Sequence, residues 1–387
     1  MKASAYCQSR GRTLRVIFLA ILLFVLGYSS NRLQLQWQRY GVPKSSNTRT
    51  LSSKPEGVTV SGLVFYGRKD RAICMYCYLQ RNMADQGGWL DEVLWIVNTD
   101  REDDLQYLED IIASNPTRHK KLRIPGEKLN TYTYYKAWQH LERGKYYVKI
   151  DDDIVWFDDD AIPQLVTRKI NYPNDFVVSA NIINNPPLGF LHYHSGALHP
   201  YLPETVQPDY VPESWKPSQH GFWQGADNLI WDLKLDPPYA GHRWLRLKEQ
   251  DIVRTPVSKL SYEVWGDSYA SWAIAAQMHL SLLENIEANT LHLYKFENPW
   301  IMHGERIRIN FMCIYADDIL DTVVEDWPRN RGDEDMIVLD LPERLRRPVV
   351  VEGNALAAHL QYVDQPGVAG TDVLLRYRLL ARDQGCL

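Results

Sequence analysis

Apolar and polar positions alternate between two kinds of pattern along the chain. From about residue 58 to residue 183, short apolar runs rich in β-branched side chains are separated by longer stretches with helical spacing of apolar positions. The runs predict strands and the longer stretches predict helices. The strands are predicted at 58–66, 92–97, 121–124, 146–150 and 176–183, and the helices at 71–83, 103–113, 131–141 and 159–169. This alternation predicts an α/β fold, a parallel sheet with helices on both faces.

The pattern becomes irregular after residue 188. Residues 188–251 are rich in Pro, Gly, His and Trp and show no sustained periodicity. A stretch this long without regular structure is usually functional, so we interpret it as a region for acceptor recognition. Beyond it, an amphipathic helix is predicted at 271–288 and strands at 309–314 and 348–352, while residues 337–341 fit a strand or the start of a helix. His359 follows the last strand after a short apolar segment.

Three consecutive carboxylates end the predicted strand at 146–150. Asp151, Asp152 and Asp153 stand between two apolar runs, and a strand cannot bury them without partners. If the strand ends there, at the rim of the sheet, the carboxylates can face a divalent cation such as Mg²⁺ or Mn²⁺. We expect Asp151 and Asp153 to point the same way, because side chains alternate along an extended chain. The alternative is a solvated acidic loop without a function.

Charged residues also follow the other predicted strands. Arg68 and Lys69 come after the first strand, and Asp100 comes after the second. Ligands of such sheets bind beyond the carboxyl ends of the strands. Cations for phosphates, an acid for the ribose or base, and a metal site are together what a nucleotide diphosphate requires. Ordinary surface charge is the alternative for Arg68 and Asp100.

The N-terminal sequence has the pattern of a membrane-targeting segment. Basic residues precede an apolar run at 16–28. This pattern favours an uncleaved signal anchor at 15–30 over a cleaved signal peptide. The expected organisation is a cytosolic tail (1–14), the transmembrane anchor, a polar stem (31–57) and a lumenal domain (58–387). A short apolar span suits the membrane of the Golgi or the endoplasmic reticulum.

Composition narrows the possible partners. The formal net charge is -5, with both signs mixed along the chain, which argues against nucleic acid as the main partner. Cys74 and Cys77 have zinc-like spacing, but the remaining cysteines form no second pair. Core packing is therefore favoured for these two, and a disulfide stays open. Three histidines, His192, His194 and His199, have no neighbouring carboxylate in the sequence, so a metal role for them is disfavoured.

Three sequence pieces carry a resemblance to a known family. They are residues 149–155 with the acidic triplet, the segment 332–336 with its three acidic residues, and residues 349–352 followed by His359. In this order the pieces resemble the nucleotide-sugar-dependent glycosyltransferases of the GT-A fold, in type II membrane topology, and are similar to fungal members of that kind. The resemblance covers most of residues 58–365. It implies a GT-A-like, Rossmann-type mixed sheet with flanking helices.

The resemblance also implies roles for individual residues. Asp151 and Asp153 would hold Mn²⁺ or Mg²⁺ on the donor diphosphate, and His359 would be a third ligand. Glu334 or Asp335 would be the general base of an inverting enzyme. Four residues, which include Asp151, would contact the nucleotide, namely Arg68, Asp100, Asp151 and Asp152. For Glu334 and Asp335 the alternative is a solvated acidic loop, and for His359 it is a packed core histidine.

Three functions remain possible from the sequence. The first is a metal-dependent glycosyltransferase that moves a sugar from a nucleotide-sugar donor to a glycan, glycoprotein or glycolipid. Its donor would bind in the half at 58–185, and its acceptor in the half at 186–387. The second is a metal-dependent phosphotransferase or phosphohydrolase that uses the same carboxylates. The third is a non-catalytic lumenal protein that binds sugars.

Overall fold

The computed structural model describes residues 53–126, 128–226 and 228–385. The predicted cytosolic tail, the anchor and most of the stem lie outside these residues. Among the described helices, none combines the length and apolar character that crossing a bilayer requires. The membrane topology therefore stays a prediction.

Eleven strands and a series of helices make up the described part of the chain. The strands are β1 Val60–Tyr66, β2 Glu92–Val97, β3 His119–Leu122, β4 Tyr146–Asp151, β5 Ile154–Phe157, β6 Val177–Ile183, β7 Tyr201–Pro203, β8 Trp244–Arg246, β9 Trp300–Ile301, β10 Phe311–Tyr315 and β11 Val349–His359. The helices are α1 Lys69–Arg81, α2 Glu102–Ser114, α3 Tyr135–Trp138, α4 Ala161–Asn171, α5 Pro186–His194, α6 Asp267–Ala270, α7 Trp272–Glu287, α8 Ala316–Leu320, α9 Asp333–Asp335, a π-helical turn Met336–Asp340, α10 Leu341–Leu345 and α11 Val373–Asp383.

Nine of the strands form one mixed sheet in the order β3-β2-β1-β4-β10-β6-β11-β5, with β9 beside β11. The strands β1, β2, β3 and β4 are parallel, and β6 is parallel to β11. Because β10 is antiparallel to both β4 and β6, those two strands run in the same direction. The carboxyl ends of β1, β2, β4, β6 and β11 therefore meet at one edge of the sheet. The α/β class and the mixed sheet with flanking helices are confirmed.

The central strands are mostly apolar because both faces of the sheet are covered. Every residue of β1 and β6 is buried, as expected for strands between two layers of helices. The helix α7 is likewise buried along nearly its whole length. Ser271 caps the N-terminus of this helix, and its side chain accepts a hydrogen bond from the Ile274 amide. This burial supplies the hydrophobic stabilisation that holds the sheet edge in place.

Three predicted elements differ from the structure. The helix predicted at 131–141 is reduced to the four residues of α3, and the irregular region contains α5 and the short β7–β8 pair. The last strand, β11, is much longer than 348–352 and has His359 as its final residue. The strand β11 continues through Gly353 with an irregularity between Glu352 and Leu356. A glycine is needed there because a Cβ would lie 2.1 Å from the backbone oxygen of Phe296.

The cysteines resolve the alternative that the sequence left open. Cys77 is disulfide-bonded, whereas Cys74 and Cys313 are free and buried. A disulfide at Cys77 is typical of an oxidising compartment.

Candidate active site at the carboxyl edge of the sheet

The candidate site lies where β1, β4 and β11 end. The backbone after β1 consists of Gly67 and Arg68, and β4 ends at Asp151. Residues 152 and 153 form a turn before β5 begins at Ile154. Because β1 and β4 are parallel neighbours, this turn lies beside the loop after β1.

Asp152 holds the loop after β1. Its Oδ2 accepts hydrogen bonds from the Gly67 amide at 2.7 Å and from Arg68 Nε at 3.4 Å, and its Oδ1 accepts one from Arg68 Nη2 at 2.6 Å. Burial raises the pKa of Asp152, and Arg68 opposes that rise. The charge-assisted hydrogen bonds offset part of the cost of burying the carboxylate. Asp152 thus acts in the folded chain as an anchor for the loop.

Asp153 connects the turn to the last strand. Its Oδ2 accepts a hydrogen bond from Arg68 Nη2 at 3.2 Å, and its Oδ1 lies 3.1 Å from His359 Nε2. The Leu360 amide donates to the backbone oxygen of Asp153 at 2.8 Å. Burial alone would raise the pKa of Asp153, but His359 and then Arg68 hold it well below its usual range. Asp153 is therefore a carboxylate at neutral pH.

Asp151 has partners different from those of Asp153. Lys149 Nζ donates to Asp151 Oδ1, and Asn310 Nδ2 donates to Asp151 Oδ2 at 2.8 Å. The expectation that Asp151 and Asp153 share one ligand set rested on an extended chain, and the turn at residues 152 and 153 removes that condition. Within the described residues, no three His, Cys, Asp or Glu side chains converge as a metal-ligand set. The structure brings together two of the three predicted ligands, Asp153 and His359.

The pair of Asp153 and His359 fits a divalent cation that takes its remaining ligands from a substrate. Both side chains are buried, and Asp153 Oδ1 makes no hydrogen bond. A carboxylate oxygen and a neutral imidazole are both ligands that Mn²⁺ accepts. Mg²⁺ and Mn²⁺ sites at phosphates commonly use only one or two protein carboxylates. The histidines for which the sequence disfavoured a metal role have other partners: His192 bonds Asn181 at 2.7 Å and His199 bonds Asn285 at 3.2 Å.

The acidic residues at 333–335 lie against two arginines. Glu334 accepts hydrogen bonds from Arg306 Nε at 3.0 Å and Arg308 Nε at 2.9 Å, and Asp335 Oδ1 accepts one from Arg306. The other oxygen of Asp335 has Arg331 Nη1 at 3.7 Å. Both residues predicted as the general base are therefore ion-paired, and Glu334 is the more fully engaged of the two.

Asp333 is a buried carboxylate that the sequence analysis missed. It accepts a hydrogen bond from Trp138 Nε1 at 3.0 Å and one from the Glu334 amide at 3.0 Å. Burial raises the pKa of Asp333 to about 6, although Lys149 opposes the rise. Its position next to Glu334 was visible in the sequence. The arginines were a further missed signal, since Arg306 and Arg308 alternate just before a predicted strand.

Asp100 lies apart from the acidic turn, beyond the end of β2. Its side chain is 74% exposed and forms an ion pair with Arg123. With Asn98 and Thr99 it lines a small cavity whose far wall includes Leu129. Asn98 accepts a hydrogen bond from the Leu129 amide at 2.8 Å, which fixes that wall. A contact between Asp100 and a nucleotide stays a prediction.

Comparison with known proteins gives distant structural neighbours. No protein-family model and no curated protein matches this sequence. GalNAc-T7 solved with UDP, GalNAc and Mn²⁺ is 11% identical, with a TM-score of 0.39 over 79% of this chain and 43% of that chain. The 4-diphosphocytidyl-2C-methyl-D-erythritol synthase of Anaerococcus prevotii is 8% identical, with a TM-score of 0.34 over 84% of this chain and 99% of that chain.

A third neighbour is the glucosyl-3-phosphoglycerate synthase of Mycobacterium tuberculosis, solved with Mn²⁺, UDP-glucose and phosphoglyceric acid. It is 14% identical, with a TM-score of 0.26 over 33% of this chain and 44% of that chain. The chain thus spans less than half the length of two of these three neighbours. All three TM-scores lie below 0.5, so the likeness to these proteins is distant.

Proposed function

We propose that the chain is a metal-dependent glycosyltransferase that takes a sugar from a nucleotide-sugar donor. The observation that carries the proposal is the meeting of Asp153 Oδ1 and His359 Nε2, 3.1 Å apart, at the carboxyl edge of a mixed sheet. Ligands of such sheets bind at this edge. A buried carboxylate oxygen without a hydrogen bond, next to an imidazole, supports a site for Mn²⁺ or Mg²⁺ on the donor diphosphate.

The loop after β1 and the cavity after β2 would receive the nucleotide. Arg68 is 37% exposed on its side chain although it bridges Asp152 and Asp153. Its exposed part can face a phosphate while the carboxylates hold its orientation. The small cavity beside Asp100 would take only the edge of the base or the ribose, because its volume is about 40 Å³. A bound metal would neutralise the charge that develops on the leaving diphosphate.

Asp335 is the better candidate for the general base. Glu334 accepts from both Arg306 and Arg308, so it serves to orient these arginines. One oxygen of Asp335 bonds Arg306, while the other has a cation only at 3.7 Å. That oxygen is available to accept the proton of an acceptor hydroxyl.

We also propose that the domain works in the lumen of the Golgi or the endoplasmic reticulum, held by the N-terminal anchor. The basic residues before the apolar run support the anchor and its orientation. The disulfide at Cys77 supports an oxidising compartment. Protease treatment of sealed microsomes should leave the chain beyond about residue 31 protected. Digestion of the C-terminal part would overturn this assignment.

The enzyme proposal is tested by a screen of nucleotide sugars for metal-dependent donor hydrolysis. The full chain should release a nucleoside diphosphate from at least one donor, and EDTA should abolish the release. The variant His359→Ala should lose most of the activity, and Asp110→Asn, an exposed carboxylate on α2, should keep it. Hydrolysis that is insensitive to EDTA, or unchanged in His359→Ala, would contradict the proposal.

A further inference from the structure

The segment at 261–271 separates two features of the acceptor half. On one side it lines a cleft of about 1060 Å³ through Ser261, Gly266 and Ser268, and residues 230–234 form the facing wall. On the other side, Tyr269 bonds Arg308 of the arginine–carboxylate cluster. The cleft reaches the upper end of the size range of ligand pockets in proteins. The segment therefore joins a cleft of ligand size to the proposed catalytic carboxylates.

Trp265 is the exposed aromatic residue of this segment. Its side chain is 59% exposed, yet the indole is held on two sides. Arg306 and Arg308 lie 5.3 and 5.2 Å from the ring centroid, and the Tyr269 ring meets it edge-on with centroids 5.2 Å apart. Cation–π and edge-to-face contacts of this kind fix the orientation of a ring. A large exposed ring held in one orientation is a platform for a flat apolar surface.

Hydrogen bonds connect the segment to the candidate metal ligand. Gln365 Nε2 donates to the Tyr269 backbone oxygen at 2.6 Å. Asn184 Nδ2 donates to Gln365 Oε1 at 2.9 Å and to the His359 backbone oxygen at 2.9 Å. The Tyr269 hydroxyl also donates to Asp364 at 2.7 Å. These buried bonds fix the segment relative to His359, so a ligand on Trp265 would have a defined position relative to the donor site.

The charges around the segment favour a neutral ligand. The positive charges of Arg306 and Arg308 are offset by Glu334 and Asp335. The cleft itself is lined by more acidic than basic side chains: Asp232, Glu263 and Asp267 against Lys234 and Lys259. An anionic ligand would find no surplus positive charge there. A pyranose has an apolar face for the indole and hydroxyl groups for the polar lining, and it carries no charge.

We propose that the segment at 261–271 and its cleft bind the acceptor, that the acceptor is a neutral oligosaccharide, and that Trp265 stacks against one of its rings. This inference rests on the proposed glycosyltransferase function and names its acceptor class. With one ring on Trp265, a longer acceptor could continue past the segment into the cleft, whose own lining does not include Trp265. Its reactive hydroxyl would then be directed toward the cluster that contains Asp335.

The test starts with the full chain on an array of neutral, sulfated and sialylated glycans, with UDP and Mn²⁺ present. Neutral glycans should be bound in preference to charged ones. The best-bound neutral glycan is then titrated calorimetrically against Trp265→Ala, Trp265→Phe and Tyr172→Ala. Loss of ring stacking should weaken binding about tenfold in Trp265→Ala, since one tenfold step corresponds to about 1.4 kcal/mol. Trp265→Phe keeps a ring and should retain most of the affinity.

Tyr172→Ala is the matched control, because Tyr172 is an exposed ring (54%) that also lies beneath an arginine, Arg168, and is outside both the segment and the region at 188–251, so its replacement should leave glycan affinity unchanged. Unchanged glycan affinity in Trp265→Ala would overturn the inference. So would preferential binding of anionic glycans, or an array without any bound neutral glycan. Binding of UDP with Mn²⁺ is measured on the same variants and should be unchanged in Trp265→Ala. In the unsubstituted chain, normal nucleotide binding without any glycan binding refutes the acceptor assignment alone, whereas absent nucleotide binding refutes the proposed function.

Discussion

His359 Nε2 lies 3.1 Å from Asp153 Oδ1, although the two residues are far apart in the sequence. They meet because β11 pairs antiparallel with β5, with His359 opposite Ile154. The Leu360 amide then bonds the Asp153 carbonyl at 2.8 Å, which fixes the backbone on both sides of the contact. The pair is thus held by the main chain of the sheet. Because Asp153 Oδ2 accepts a hydrogen bond from Arg68, Oδ1 is the oxygen that can face a ligand together with His359.

This arrangement predicts different effects for two neighbouring carboxylates. Asp153→Asn should weaken Mn²⁺ binding in the presence of UDP by about 10- to 100-fold, since it removes a charged ligand. Asp151→Asn should have a much smaller effect, because Lys149 and Asn310 already engage that carboxylate. Isothermal titration of both variants measures the difference. Equal losses of Mn²⁺ affinity in the two variants would instead support the three-ligand set predicted from the sequence.

A second prediction concerns Arg68, which bridges Asp152 and Asp153. Arg68→Met should lower the free energy of unfolding by about 2 kcal/mol, because it leaves two buried carboxylates without their shared cation while solvent still reaches the position. Urea denaturation measures the change.

The matched control for Arg68 is the next residue. Lys69→Met removes a cation whose ion pair with the exposed Asp103 spans 3.7 Å, and it should change stability by less than about 0.5 kcal/mol. Equal effects of the two substitutions would show that the bridge contributes nothing.

The third prediction is a pH dependence that originates in Asp333. Burial raises its pKa in the folded protein to about 6, from an ordinary value of 3.8. Between pH 3.8 and about pH 6, Asp333 is protonated in the folded state and ionised in the unfolded state. The free energy of unfolding therefore falls as pH rises from about 4 to about 6, and the lost contribution stays lost above that range.

Asp333→Asn should remove this dependence, because the amide stays neutral. The stability difference between pH 4 and pH 7 should become smaller than in the wild type by on the order of 2–3 kcal/mol. Urea denaturation at a series of pH values measures it, and Asp110→Asn, an exposed carboxylate on α2, should follow the wild-type curve. A wild-type slope in Asp333→Asn would show that another group causes the dependence.

Local pattern was enough to predict the strands β1, β2, β4 and β6, but β5 at Ile154–Phe157 was not predicted, and β3 at His119–Leu122 begins two residues before the predicted position. Residues 92–97 and 146–151 are strands where apolar runs predicted them, because both faces of those strands are buried. The side-chain contacts at the candidate site could not be predicted in the same way. The turn at Asp152 and Asp153 is set by the Gly67 amide and Arg68, which lie far away in the sequence, so alternation could not reveal which carboxylate meets His359. The ion pairs of Glu334 likewise depend on tertiary contacts with Arg306 and Arg308.

The last prediction links the irregular part of β11 to the site. Gly353 has no room for a side chain, because a Cβ would lie 2.1 Å from the Phe296 backbone oxygen. Its own carbonyl accepts a hydrogen bond from Asn181 Nδ2 at 3.1 Å. Gly353→Ala should therefore displace the backbone of β11, which carries His359 at its end. We expect a loss of about 1–3 kcal/mol in the free energy of unfolding, the usual range for overpacking.

The displacement should also reach the candidate ligand. Mn²⁺ binding in the presence of UDP should be weaker in Gly353→Ala, because His359 can no longer keep its distance to Asp153. Gly370→Ala is the matched control, since a Cβ there would have its nearest neighbour, Pro237 Cβ, at 3.6 Å, an ordinary contact. Thermal unfolding and metal titration are measured on the same samples. A destabilised Gly353→Ala variant with wild-type metal affinity would show that β11 transmits no strain to His359, and the irregularity would then serve folding alone.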